Sequence, residues 1–452
     1  MVLIDDLYRN TELPSFFYRS LSHGIIFTTA ALSRGFLLAF NNLEVNGLPR
    51  FLDLLKSRAD YMTRQKGLVT VSNHISVIDD PLIWGSLPLT FTMFYGVRNQ
   101  RWSFGSHDLC FTNTLISHFF TLGQVLPTHR KMHSKHGGLF QPTFTEGVRM
   151  LSRIDAGMMA WNPHNRTLYP NAINPAYNSS KPDPERPKWP SSAIDPLSDQ
   201  SPYAPAYPSY PNDVRAYNAP SRYACNSYSW IHIFPEGFIH QSDPSQRIMR
   251  YFKWGVSRLI LEPPECPDLV PIFIEGTDQV MHESRTFPRF IPRAGKKVVV
   301  TYGAEVDVEA VFGDLRKRWR AICDRENIHK IPSAGSHSLR QTQSNKSQYG
   351  KEVASASPSP ELSEEQRRRL KIALDNIYLA ELGVVNDVLK HDPEVVELRK
   401  ECTRRVREEV LKVRRSRGYP DEDPKGSLVE TWAREGPKRE GKMDDDTWVK
   451  EA

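Results

Sequence analysis

Apolar residues along this chain recur in two patterns, as short continuous runs and at helical spacing, and polar stretches separate them. The continuous runs, rich in β-branched and aromatic residues, predict strands at 68–71, 91–97, 124–126, 230–234, 269–274 and 297–302. Apolar positions at helical spacing predict helices at 111–120, 144–154 and 248–261. Because strands and helices alternate over the same stretches, the pattern indicates an α/β domain.

An apolar stretch near the N-terminus, residues 21–40, is the longest in the chain but contains His23, Arg34 and two glycines. A membrane-spanning helix needs about 20 largely uncharged residues, and an arginine near the bilayer centre costs at least ~2.5 kcal/mol. The stretch therefore favours a helix lying in the membrane interface, or a re-entrant anchor, over a true span. A helix packed on the globular domain is the alternative.

Two polar stretches interrupt the globular pattern. Residues 163–220 hold 13 of the 34 prolines, together with many Ser, Asn and Tyr, and such a composition cannot form a packed core. We therefore predict an N-terminal helical segment (1–48), a domain (49–325) with a disordered insertion (155–225), a second disordered insertion (326–362), C-terminal helices (363–418) and a flexible tail (419–452).

The C-terminal helices carry clear start and stop signals. Ser363 with Gln366 forms a capping box, 392–394 reads as an N-cap followed by proline, and Gly418 ends the pattern. One apolar stripe comprises Val395, Leu398, Cys402, Val406, Val410 and Val413. The remaining positions are crowded with Arg399, Arg404, Arg405, Arg407, Arg414, Arg415 and Arg417. This indicates a surface helix docked by its stripe, with a basic face that could also meet anionic lipid.

Composition and charge exclude several classes of protein. With 39% hydrophobic and 25% charged residues, the chain is neither collagen-like, fully disordered nor a polytopic membrane protein. A net charge of +6 over 452 residues is too small to indicate nucleic-acid binding. The five cysteines are widely spaced, which favours free thiols over a disulfide framework or a zinc site. Acidic residues before the first apolar run argue against a secretory signal or a standard mitochondrial presequence.

A His and an Asp five positions apart follow the predicted strand at 68–71, within the sequence from Asn73 to Pro81. In a continuous helix His74 and Asp79 would lie about 140° apart and could not meet. They can meet if a turn separates strand end from helix start, where active-site residues collect in α/β proteins. His74 could then accept a hydroxyl proton while Asp79 fixes its tautomer. Taken alone, such a pair is more often structural.

Two further candidate motifs also follow predicted strands. Phe234, Pro235, Glu236 and Gly237 come directly after the strand at 230–234, and a glycine there lets the backbone approach a ligand closely. Arg130 lies just past the strand at 124–126, and arginine suits bidentate phosphate binding. Either motif could instead be an ordinary turn or a solvated loop.

The motifs in this order resemble those of the glycerolipid acyltransferase family: an H-x4-D block, an arginine block, F-P-E-G, and an apolar strand with a proline at 270–272. Residues 73–85, 108–112, 117–123, 230–237 and 250–255 are similar, within that family, to the cardiolipin-remodelling transacylases of mitochondria. The resemblance covers roughly 14–154, 226–325 and, more loosely, 393–418. The insertions and most of 361–392 fall outside it.

The resemblance implies one α/β acyltransferase domain, a mixed central sheet flanked by helices, with an N-terminal membrane-associating helix and a C-terminal helical extension. It implies His74 as the base and Asp79 as its partner, with Arg130, Phe234, Pro235, Glu236 and Gly237 at the substrate. It also implies phospholipids, lysophospholipids and cardiolipin as partners at a membrane surface facing the mitochondrial intermembrane space, without a cofactor. An oligomer is possible, and no nucleic-acid partner is expected.

Alternatives stay open at the level of the sequence. The same His–Asp pair could use acyl-coenzyme A as donor, water could replace the lysolipid acceptor, or the chain could be a non-catalytic membrane adaptor. The basic loop after Arg130 departs from the expected pattern. There His129, His133 and His136 lack a nearby carboxylate or thiol, so a metal site is not predicted.

Overall fold

The computed structural model describes residues 16–61, 63–130, 137–152, 228–283, 288, 290–325, 383, 385, 387–434, 441–442 and 448–449. The predicted insertions at 155–225 and 326–362, the capping box at 363–366 and the loop at 131–136 lie outside the described residues.

Seven strands form one central sheet. They are β1 (Asn42–Asn46), β2 (Leu68–Ser72), β3 (Trp102–Ser106), β4 (Val125–Thr128), β5 (Trp230–Ile233), β6 (Asp268–Glu275) and β7 (Lys297–Tyr302), in the spatial order β1-β7-β6-β2-β5-β3-β4. All neighbouring pairs are parallel except β6 and β7, which are antiparallel. The predicted mixed α/β sheet is therefore confirmed. Strands β2, β3, β4, β5 and β6 run in one direction and share one carboxyl edge, whereas β1 and β7 run the opposite way. A separate two-stranded pair joins Gly441–Lys442 to Trp448–Val449.

The helices lie on both faces of this sheet. They are α1 (Phe16–Phe40), α2 (Leu48–Ser57), α3 (Asp79–Gly85), α4 (Leu89–Phe94), α5 (His107–Cys110), α6 (Thr114–Leu122), α7 (Pro142–Met150), α8 (Gly255–Leu261), α9 (Thr277–Val280), α10 (Val308–Arg325), α11 (Asp387–His391), α12 (Pro393–Ser416) and α13 (Val429–Arg434), with 3-10 turns at Val97–Asn99 and Pro424–Ser427.

Alternate residues of the central strands supply two separate hydrophobic cores. Leu68 and Trp230 face a core with α2 and α3, whereas Val69 and Ile231 face a larger core with α8, α10 and α12. Successive side chains of a strand point to opposite faces, so a sheet covered on both faces reads as a continuous apolar run. This is why the strand at 68–71 was recognisable from sequence.

The strand predicted at 91–97 is wrong, and the helix predicted at 248–261 is shortened. Residues 89–94 form α4, in which Phe91 is buried and stacks on Tyr95 four residues later at 4.9 Å between ring centroids. A short apolar run does not distinguish helix from strand by itself. Helix α8 begins at Gly255 because the backbone N–H groups of Arg250 and Lys253 bond elsewhere, to Glu236 and to the carbonyl of Pro235.

Helix α1 packs on the domain by one face. Ser33 lies so close to Gly85 of α3 that a Cβ on that glycine would come within 2.7 Å of it. Arg34 donates to the carbonyls of Ser86 and Leu87 at 3.1 Å each, so its charge is held within the protein. The opposite face leaves Phe16, Phe17, Leu21, Leu32, Leu38 and Phe40 exposed. In the described part of the chain, α1 alone is long and apolar enough to cross a membrane.

Helix α12 confirms the predicted apolar stripe, all six members of which are buried. The expectation that its arginines crowd an outer basic face is wrong for Arg399, Arg407 and Arg414, which are also buried. Arg407 donates to the carbonyls of Met249 and Arg250 at 2.8 and 3.0 Å, and Arg414 donates to that of Arg247 at 2.9 Å. The helix therefore fixes the loop at 247–250 instead of offering those charges to lipid.

Candidate active site

His74 and Asp79 meet across the turn between β2 and α3, as the sequence predicted. The Nδ1 atom of His74 lies 2.9 Å from Oδ2 of Asp79. Strand β2 ends at Ser72 and α3 begins at Asp79, so the six-residue turn at 73–78 brings the two side chains together. The His74 side chain is 21% exposed while that of Asp79 is fully buried. The imidazole therefore lies between a buried carboxylate and the protein surface.

Four hydrogen bonds hold the carboxylate of Asp79. Besides His74, Oδ2 accepts from the backbone N–H groups of Ile75 and Ser76 at 2.6 and 2.8 Å, and Oδ1 accepts from the hydroxyl of Thr277 at 2.5 Å. An ionised carboxylate only accepts, so we assign the proton of the imidazole to Nδ1. That tautomer leaves the lone pair of Nε2 available to take a proton from a substrate.

Glu236 joins the His–Asp turn to the loop at 247–250. One oxygen of its buried carboxylate accepts from the backbone N–H of His74, and the other from that of Arg250, both at 2.9 Å. Burial raises the pKa of Glu236 to about 7, although both of these hydrogen bonds act in the opposite direction. Its two oxygens are thus used in positioning the backbone. Direct contact between Glu236 and a substrate stays a prediction.

The other residues of the F-P-E-G motif shape the surroundings of His74. The ring of Phe234 stacks on the imidazole with 4.4 Å between centroids. The carbonyl of Pro235 accepts from the backbone N–H of Lys253 at 2.7 Å. Gly237 has φ of 62°, and a Cβ there would lie 2.7 Å from Nζ of Lys253. The left-handed backbone at Gly237 therefore favours glycine, whereas the contact with the end of the Lys253 side chain could be relieved by movement of that side chain.

Arg130 follows the end of β4 and forms an ion pair with Asp108, with Nε 3.1 Å from Oδ1. It is near enough to Lys253, beside Gly237, to lower the pKa of that amine. All the predicted site residues therefore follow β2, β4 or β5 at the carboxyl edge of the sheet, where ligands bind in open α/β folds. Whether each one touches substrate stays a prediction.

Sequence reasoning missed a second carboxylate beside the site, the half-buried Asp80. Asp80 accepts from Arg101 at 2.6 Å, from Ser103 at 2.8 Å and from Trp84 at 2.8 Å. Its position directly after Asp79 was the available signal. Thr277, which bonds Asp79, lies 198 residues away and gave none. In the residues that the structure describes, no three His, Cys, Asp or Glu side chains form a metal-binding group.

His232 is a buried, neutral imidazole beside this site, and it predicts a pH dependence of stability. Burial lowers its pKa from 6.5 to about 3. Between pH 6.5 and pH 3 the His232 side chain binds a proton in the unfolded chain but not in the folded chain. The free energy of unfolding is therefore highest above pH 6.5 and falls as the pH drops toward 3. Between pH 8 and pH 5 we expect His232 to lower the unfolding free energy by about 2 kcal/mol.

The comparison for this prediction is the His232→Gln variant, whose side chain does not titrate. Denaturant unfolding of both proteins at pH 8 and at pH 5 isolates the His232 contribution from those of other groups. A difference between the two proteins that is the same at both pH values would contradict the prediction.

A histidine fixed by a buried carboxylate at the carboxyl edge of a mixed sheet, against an F-P-E-G turn, is the arrangement that the resemblance to glycerolipid acyltransferases implied. Similarity to known proteins shows that the chain is an acyltransferase. Over 345 residues the chain is 31% identical to tafazzin from Saccharomyces cerevisiae, covering 74% of this chain and 73% of the yeast protein. The chain belongs to the tafazzin family.

Other comparisons are weaker. The chain is 22% identical over 287 residues to N-acylphosphatidylethanolamine synthase from Arabidopsis thaliana, covering 63% of this chain and 70% of that protein. The crystal structure of a 1-acyl-sn-glycerophosphate acyltransferase from Thermotoga maritima aligns with 76% of this chain and 88% of its own at 13% identity. Its TM-score of 0.32 is too low to support an argument. No family model matches the chain.

Proposed function

We propose that this acyltransferase moves acyl chains between phospholipids and lysophospholipids without coenzyme A, and that it remodels cardiolipin in this way. The observation that carries the proposal is the partly exposed His74, bonded through Nδ1 to the fully buried Asp79. Such an imidazole can both take and return a proton, which an exchange between two esters requires. Membership of the tafazzin family supports the choice of lipid substrates.

The proposed reaction needs only His74 to move protons. Nε2 of His74 takes the proton of a lysophospholipid hydroxyl as that oxygen attacks an ester carbonyl of the donor phospholipid. The resulting imidazolium, steadied by Asp79, then gives the proton to the leaving lysophospholipid oxygen. One ester bond forms and one breaks, so no oxidant, reductant or activated thioester is needed.

An apolar surface beside the site supports action at a membrane. In addition to the outer face of α1, Met93 and Phe94 of α4 and Leu115 and Phe119 of α6 are exposed. Both helices contact α1, so the apolar positions belong to neighbouring elements. A large exposed apolar patch is typical of a membrane or protein contact. We propose that this surface enters the interface of a mitochondrial membrane, on the intermembrane-space side.

The experiment supplies purified full-length protein with vesicles that contain phosphatidylcholine labelled in its acyl chains and monolysocardiolipin, without coenzyme A. We expect the label to appear in cardiolipin. Transfer only after acyl-coenzyme A is added would identify a thioester-dependent enzyme and contradict the proposal. Free fatty acid as the main product would identify a phospholipase.

A non-catalytic adaptor is distinguished in cells rather than in vesicles. Under the proposal, His74→Ala changes the acyl composition of cardiolipin when it replaces the natural chain. An unchanged composition, with equal protein levels, would favour the adaptor.

A further inference from the structure

The segment from Arg250 to Gly255 lies beside the F-P-E-G turn, and the proposed mechanism does not use its side chains. The backbone N–H of Arg250 donates to Glu236, the residue that also accepts from the N–H of His74. The backbone N–H of Lys253 donates to the carbonyl of Pro235 at 2.7 Å. The backbones of Arg250 and Lys253 are therefore each hydrogen-bonded to the F-P-E-G turn, and Glu236 of that turn also bonds the backbone of His74.

Lys253 carries a positive charge in a confined position. Its Nζ lies 4.0 Å from the ring centroid of Phe238 and makes one long hydrogen bond, of 3.4 Å, to the carbonyl of Gly237. Burial, together with the nearby charges of Arg250 and Arg130, lowers the pKa of Lys253 to about 8. The cationic groups of Lys253 and Arg250 both lie against the ring of Phe238, which is unfavourable unless an anion binds beside them.

Arg250 lies among aromatic rings rather than carboxylates. The central carbon of its guanidinium lies 5.3 Å from the ring centroid of Phe238 and 5.2 Å from that of Trp432. Its Nε is buried and, in the described part of the chain, has no hydrogen-bond partner. A buried donor without a partner costs free energy that a ligand can recover. Aromatic contact leaves the donors of the guanidinium edge free for bidentate bonding.

Among the residues described, Arg130 differs from Arg250 and Lys253 in having a carboxylate partner, so it is less available to bind an anionic ligand. Arg130 is already in an ion pair with Asp108. Within the ranges that the structure describes, neither Arg250 nor Lys253 forms an ion pair with a carboxylate.

We propose that Arg250 and Lys253 together bind the phosphate of the phospholipid substrate, an assignment that rests on the proposed function. Because Glu236 accepts from the backbone N–H groups of both Arg250 and His74, it fixes the phosphate-binding segment relative to the catalytic histidine. A phosphate held by the pair places the glycerol hydroxyls of the same lipid beside His74. Arginine supplies two parallel N–H donors and lysine supplies a compact positive charge, and both suit the oxygens of a phosphate group.

The kinetic test compares Arg250→Gln and Lys253→Gln with two acyl acceptors, lysophosphatidylcholine and monoacylglycerol, which differ in the phosphate. We expect each variant to lose about 10- to 100-fold in kcat/KM with the lysophospholipid, mainly through KM. With monoacylglycerol the change should stay below about 3-fold. Lys317→Gln is the matched control, because the Lys317 side chain is 80% exposed on α10. Equal losses on both acceptors would overturn the assignment.

A binding test needs no acyl transfer and so separates this inference from the proposed function. Full-length wild type and both variants are titrated with sn-glycerol 3-phosphate and with inorganic phosphate, observed by calorimetry. We expect wild type to bind glycerol phosphate more tightly than inorganic phosphate and both variants to bind it at least about 10-fold more weakly. Unchanged binding in the variants, or equal affinity of wild type for inorganic phosphate, would overturn a lipid-phosphate site.

Discussion

Replacing His74 by alanine will reduce acyl transfer by about 10²- to 10⁴-fold, with the loss in kcat rather than in KM. The imidazole is required twice, first to accept the proton of the attacking hydroxyl and then to protonate the leaving oxygen, so the effect should lie near the upper end of this range. Steady-state transfer between labelled vesicles measures it directly. Thermal unfolding of the same preparation shows whether the fold is kept.

The matched control is His391→Ala, because His391 is an exposed histidine in α11. This variant should transfer at the wild-type rate. If His74→Ala retained more than a tenth of the wild-type kcat, His74 would not be the group that moves the proton.

Replacing Asp79 by asparagine will have the second largest effect, a loss of about 10³- to 10⁴-fold, the size seen when an orienting carboxylate becomes an amide elsewhere. Oδ2 of Asp79 accepts from three N–H groups, and Oδ1 accepts from the hydroxyl of Thr277. If the amide nitrogen replaces Oδ2 it faces those N–H donors, and in the other orientation it replaces Oδ1 at Thr277. In the first orientation the His74 ring loses its acceptor, and in both orientations the imidazolium loses the negative charge that steadies it. The measurement is kcat/KM for transfer.

Asp79→Asn should also destabilise the fold, because a buried hydrogen-bonding group left without its partner costs about 1–3 kcal/mol. The control is Asp243→Asn, since in the part of the chain that the structure describes this exposed carboxylate accepts from the backbone N–H and hydroxyl of Ser245 alone, each at 2.8 Å. It should leave both activity and stability close to wild type. A folded Asp79→Asn protein with near wild-type transfer would show that Asp79 does not orient His74.

Five of the seven strands of the central sheet could be predicted from the sequence, including the edge strand β4, whereas β1 and β3 could not. Strands β2, β5, β6 and β7 are buried on both faces and read as apolar runs. Strand β1 has the sequence Asn-Leu-Glu-Val-Asn at the sheet edge, and β3 contains serine and glycine. Their stability comes from pairing with neighbours that are distant in sequence, which local propensity does not reveal.

The site shows the same division between local and distant information. The meeting of His74 and Asp79 was predictable because a turn after a strand is a local feature. The support from Thr277 depends on where β6 ends, far along the chain.

The buried arginines of α12, Arg399, Arg407 and Arg414, each directly follow a residue of the apolar stripe. Their charge nevertheless led to the prediction that they lie on an exposed face. Arg407 donates to the carbonyls of Met249 and Arg250, in a segment that was predicted to be helical. Arg414 donates to the carbonyl of Arg247 and Arg399 to that of Leu389.

A double-variant cycle on His74 and Asp79 tests the central claim most directly, since the claim is that the two side chains act as one unit. The rate of coenzyme-A-free transfer is measured for wild type, His74→Ala, Asp79→Asn and the double variant. We predict that the double variant is no slower than His74→Ala alone, because Asp79 acts only through the imidazole. Losses that multiply would contradict it.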